Sequence, residues 1–138
     1  MPDAQAEDRV AIRELMLRYA RGIDARDLAV VRSCFTPDAG YRGMLATGTI
    51  ADALDALPDA MQRYTATRHA ITAQTVDLQG DTARSSTDCT AHHWLPDGAC
   101  RTVSVRYHDE LARGPGGWRI TQREVEQIRT YTEEDPDA

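Results

Sequence analysis

The chain has 138 residues, 41% apolar and 28% charged, with a net charge of −6, which fits one globular domain and excludes a pair of catalytic domains or a disordered chain. The acidic balance and the lack of any Lys/Arg run argue against nucleic acid as a partner. All 16 basic residues are arginine, which removes Schiff-base chemistry, a pyridoxal anchor and the lysine of a phosphate-binding loop together.

The opening octapeptide, Met1 to Asp8, is acidic and has no apolar core of a leader, and no apolar run approaches the ~20 residues of a membrane span. Cys34, Cys89 and Cys100 are an odd number without a CxxC spacing, so reduced thiols and a cytoplasmic location are expected, with no membrane association.

From residue 6 to 22 the apolar residues Ile12, Leu15, Met16, Tyr19 and Ile23 keep the spacing of one helical stripe. Gly22 is expected to loosen that helix. After Asp24 a second short helix is predicted, with Leu28, Val31 and Phe35 inward and Thr36-Pro37-Asp38 ending it. Residues 39–44 fit a short strand. Thr49 can cap a third helix carrying Ile50, Leu54, Leu57 and Met61, which Pro58 should interrupt or kink.

From residue 67 the texture changes to long alternating segments, 67–78, 82–95, 100–113 and 118–131, joined by turns rich in Gly, Pro and Asp. These are four strands of an antiparallel meander. Helices followed by a long curved sheet give an α+β domain spanning 1–138, with 1–5 and 133–138 expected to fray. The first and third helices would fill the curve of the sheet.

Several strand faces mix polar with apolar residues. Alternation puts His69, Ile71, Ala73 and Thr75 on one face, Cys89, Ala91 and His93 on another, and Arg129 with Val125 and Tyr131 on a third. A histidine among small apolar neighbours is either a hydrogen-bonded core residue or the polar floor of a pocket. Asp24, at the break between two helices, is either the cap of the second helix or a functional carboxylate. Tyr19, on the buried stripe, wants a partner for its hydroxyl. His92 and His93 point to opposite faces of a strand and cannot easily meet one metal ion, so no metal site is expected.

The ordered series Ala11-Ile12-Arg13-Glu14-Leu15, Tyr19 to Asp24, Arg26-Asp27-Leu28, Thr67-Arg68-His69, Gly80-Asp81-Thr82-Ala83 and Gly116 to Ile120 resembles the SnoaL-like branch of the nuclear transport factor 2-like superfamily over almost the whole chain. The resemblance implies a cone: a curved antiparallel or mixed sheet wrapped around N-terminal helices. Within the superfamily the pattern is similar to that of scytalone dehydratase and bile-acid 7α-dehydratase, which pair an aspartate after the first helix with a strand histidine. Asp24 and His69 occupy those positions.

By the same resemblance Tyr41 matches a substrate-facing tyrosine, Tyr19 a pocket tyrosine, and Arg129 an arginine that enters the site near the C-terminus. His93 matches a second histidine once a one-residue gap is placed at the Gly80 turn. Ile23 stands where scytalone dehydratase has a tyrosine, and that enzyme's Ser/Asn pair has no match here.

The implied activity is that of a cofactor-independent lyase, dehydratase-like, with His69 as base, Asp24 as its orienter, Tyr41 as hydrogen-bond donor and His93 as acid. Tyr19 and Arg129 would bind a hydroxylated cyclic ketone, polyketide or steroid-like molecule. An isomerase or cyclase using the same base, and a non-catalytic binding or dimerisation module, stand as alternatives. The reaction itself requires neither cofactor nor metal, and the resemblance implies a homodimer or homotrimer.

Overall fold

A computed structural model describes residues 3–137. Helix α1 (Ala4–Asp24) starts where Asp3 accepts a hydrogen bond from the Gln5 N–H, so the helix includes residues 4 and 5. The predicted stripe is its buried face: Ile12 and Met16 are fully buried, each such apolar side chain contributing ~1.5–3 kcal/mol. Gly22 does not loosen α1. It lets α2 (Leu28–Arg32) approach, since a Cβ there would stand 2.9 Å from Val31 Cγ2 and 3.2 Å from the Val31 main-chain nitrogen.

Helix α2 is shorter than expected. Phe35 leaves it and opens strand β1 (Phe35–Arg42), so the predicted 39–44 strand begins earlier and Thr36-Pro37-Asp38 ends no helix. Those residues bulge out of the ladder between the Phe35–Ile120 and Gly40–Gln122 pairs, where Pro37 owes no N–H to a neighbour. The short β2 (Thr47–Thr49), unforeseen in the sequence, precedes α3 (Ile50–Gln62). A reciprocal capping box between Thr49 and Asp52 starts α3, and the helix continues past Pro58 without interruption.

The meander follows as predicted, in β3 (Ala66–Gln79), β4 (Thr82–Trp94), β5 (Cys100–Gly114) and β6 (Gly117–Glu133). The strand order is β2-β1-β6-β5-β4-β3, and β1 joins β6 in parallel, so the sheet is mixed. Helix α1 lies against β3 and β6, and α3 against β1. Among the described residues no helix is long and apolar enough to cross a membrane.

Three bulges in β3 and β6 change which side chains face the helices. In β3 the register slips between Ile71 and Gln74, so the inner row runs Thr67, His69, Ile71, then Gln74, Val76 and Leu78. Ala73 and Thr75 therefore do not share the face of His69. Arg13 of α1 binds the freed Thr72 carbonyl at 3.0 Å, which fastens the bulge to the helix. In β6 a slip at Ile128 separates Gln127, opposite inward Val105, from Arg129, opposite Ser104.

A further slip in β6 at Thr121 brings Arg123 inward, fully buried, onto Asp109 of β5. The pair is bidentate, Nε to Oδ1 and Nη2 to Oδ2, both at 2.8 Å. The guanidinium lies 3.9 Å from the centre of the Tyr107 ring and 4.4 Å from that of Tyr19, so three aromatic faces, with Phe35 the third, help offset its desolvation. Burial opposes its charge, but Asp109 outweighs burial and raises its pKa, so Arg123 stays ionised.

Candidate active site

Asp24 closes α1 but caps nothing, because the N-cap of α2 is Asp27, whose side chain accepts from the Val30 N–H at 3.2 Å. Its carboxylate turns instead to β3 and accepts from the His69 ring Nδ1–H (2.7 Å), the His69 main-chain N–H (2.9 Å) and the Thr67 hydroxyl (3.0 Å). Burial would raise the Asp24 pKa, yet these bonds outweigh it and hold the carboxyl below its ordinary 3.8. With Nδ1 committed as donor, His69 Nε2 carries the lone pair.

Behind this pair, Arg26 donates to Thr67 Oγ1 at 2.9 Å and to the Ile23 carbonyl at 3.2 Å. Arg26 takes φ of 59°, the left-handed turn that ends α1 and that usually falls to glycine. Its side-chain bonds help hold that conformation beside the carboxylate.

His69 opens onto a cavity of about 430 Å³ between the sheet and α1 and α3, a volume suited to a ring system. Tyr19, Tyr41 and His93 line it too, so the fold brings together five of the six residues singled out in the sequence. Arg129 is the exception. The Ile128 bulge turns it to the opposite face of the sheet, where it stacks on Tyr131 with 4.9 Å between guanidinium carbon and ring centre.

The His93 ring stands edge-on to that of His69, 5.7 Å between centres. Its Nδ1 lies 3.1 Å from the Arg101 carbonyl, which can only accept, so Nδ1 bears the proton and Nε2 is an acceptor. Burial pushes its pKa below 6.5, leaving the ring neutral. Neutral His93 with that tautomer accepts hydrogen bonds and does not supply a proton, which runs against the expected acid. Burial raises the pKa values of Tyr19 and Tyr41, so both phenols remain donors.

The sequence reading did not single out Tyr107, Tyr64 or Arg101, which also line the cavity. A signal was present: alternation along β5 puts Arg101, Val103, Val105, Tyr107, Asp109 and Leu111 on one face. Tyr64, just past α3, packs on His93 with 4.7 Å between ring centres. A second cavity, of about 340 Å³, adjoins across Ile23, Leu57, Met61 and Tyr64 and reaches Arg26.

His92 points away from His93, bonded to Thr102 at 3.1 Å, as strand alternation requires. On the same outer side a polar groove of about 480 Å³ includes His108, which links Ser86 (3.3 Å) to Glu126 (2.8 Å). The row resembles a nucleophile relay, but the main-chain N–H groups around it are spent in the strand ladders and form no backbone oxyanion hole among the described residues.

Residues 4–124 match the SnoaL-like domain family. A protein of Mycobacterium tuberculosis H37Rv, uncharacterized, is 28% identical over 125 residues, covering 87% of this chain and 85% of its own. Among solved structures, a candidate scytalone dehydratase of Novosphingobium aromaticivorans has a TM-score of 0.85 at 18% identity, covering 98% of this chain and 93% of that one. The hexachlorocyclohexane dehydrochlorinase LinA-type3 of Novosphingobium barchaimii has 0.80 at 19% identity, covering 94% and 92%. At these identities the two structures establish a shared fold. With the family match over most of its length and the helix-filled mixed sheet, this chain belongs to the SnoaL-like family of nuclear transport factor 2-like proteins.

Proposed function

We propose that the protein is a cofactor-independent lyase that dehydrates a hydroxylated cyclic ketone. The observation that carries this reading is the His69 imidazole, oriented by Asp24 and opening onto a cavity lined by apolar side chains and tyrosines. His69 Nε2 removes the proton α to the carbonyl, and Asp24 stabilises the imidazolium that forms. The electron pair moves onto the carbonyl oxygen, where Tyr41 or Tyr19 donates a hydrogen bond to the enolate.

The enolate then collapses: the C=C bond forms, the β C–O bond breaks, and the departing hydroxyl takes its proton from His69. His93 Nε2 accepts a hydrogen bond from that hydroxyl and orients it. One imidazole thus carries the proton both ways, and the products are the enone and water. The same single carrier suits an isomerase, in which His69 would return the proton to a different carbon and no water would leave.

The test is a panel of cyclic β-hydroxyketones followed by enone absorbance and by α-proton exchange in D2O. His69→Ala should lose both signals while keeping a wild-type circular dichroism spectrum. Exchange and double-bond migration without enone formation would assign the isomerase. Neither signal with any member of the panel, or full turnover by His69→Ala, would remove the lyase reading and favour a binding module.

A further inference from the structure

The cavity lining is electrostatically one-sided: it contains Arg63 and Arg101 and no Asp or Glu. Neither arginine forms an ion pair among the described residues. The arrangement is held in place. Arg101 Nη1 donates to the Tyr64 hydroxyl at 3.0 Å, and the Arg63 guanidinium carbon lies 5.7 Å from the centre of the same ring. Nε and Nη2 of Arg101 have no hydrogen-bond acceptor among the described residues, and that edge is the fork that matches a carboxylate with two parallel bonds. Arg101 is also the cross-strand partner of His93, which sets it beside the histidine pair.

A chain of net charge −6 repels anions overall, so two arginines without acidic partners at one cavity form a local exception to its field. We infer that Arg101, with Arg63 beside it, forms an anion-accepting subsite, and that the substrate carries a carboxylate. This rests on the lyase reading for the ring and its hydroxyl, but the charge selectivity can be measured by binding alone.

The probes are 2-naphthoate and its neutral near-isostere 2-naphthamide, titrated calorimetrically into the 138-residue protein at low salt. The wild type should bind the carboxylate about tenfold or more tightly than the amide, the increment of a charge-assisted hydrogen bond. Arg101→Gln should bring the ratio close to one, and Arg101→Lys should restore part of it. Arg63→Gln should lower it less.

His69→Gln should keep the preference, so loss of the lyase reading and loss of the subsite give different results. Equal binding of the two probes, binding of neither at millimolar concentration, or a preference that survives Arg101→Gln in a folded variant would overturn the subsite.

Discussion

Asp24 holds His69 through two bonds, from ring Nδ1–H to Oδ1 at 2.7 Å and from main-chain N–H to Oδ2 at 2.9 Å. One carboxylate therefore sets the ring tautomer and ties the end of α1 to β3. In Asp24→Asn the amide can present its NH2 to the ring, which moves the imidazole proton to Nε2 and removes the base. The expected outcome is a fall in kcat of about 10²–10⁴-fold in the enone assay with little change in KM. A wild-type rate would show that the carboxylate does not orient the base.

Thr67 acts through Asp24, donating to Oδ1 while accepting from Arg26. Thr67→Val keeps the shape and removes one bond to the carboxylate, which should lower kcat about fivefold, the equivalent of one ordinary hydrogen bond. It should also raise the pKa of the Asp24 carboxyl, visible in a 13C titration. An unshifted titration would place Thr67 outside the relay.

The Arg123–Asp109 pair is predicted to matter for stability far more when broken than when replaced. Arg123→Met leaves Asp109 buried and unpaired and should cost about 3–5 kcal/mol in urea denaturation. Adding Asp109→Leu should recover much of that loss, because an apolar pair of similar volume needs no desolvation of charge. A double variant no more stable than the single one would mean that the ion pair itself stabilises the fold.

Burial depresses the His93 pKa below 6.5, so the unfolded chain binds a proton there before the folded one does. Stability should fall as pH drops from about 6.5 toward the lower folded value, and His93→Gln should flatten that limb. The Asp24 shift has the opposite origin: its carboxyl is depressed below 3.8, so its contribution is present above that value and lost as pH falls further. Urea midpoints from pH 8 to pH 3 for the wild type, His93→Gln and Asp24→Asn separate the two limbs.

Local chemistry made much of the fold legible. The stripe of Ile12, Leu15, Met16 and Tyr19, the Thr49 cap, and the alternation and turns of the last four strands follow from periods of 3.6 and 2 and from Gly, Pro and Asp at chain reversals. The convergence of Asp24 with His69 came from family resemblance, and periodicity alone left Asp24 as readily a helix cap.

The bulges were decided only in three dimensions. A one-residue slip reverses strand parity at no cost to composition, so alternation carried past Ile71, Thr121 or Ile128 assigns the wrong face. Arg129 took its site role from the family resemblance, and the Ile128 slip parts it from inward Val125 and leaves it outside the cavity, while the Thr121 slip carries Arg123 into the core. The sequence by itself determined the helices, the meander and the residue types available for proton transfer. Tertiary packing decided which of those side chains share the cavity, because register depends on partners far along the chain.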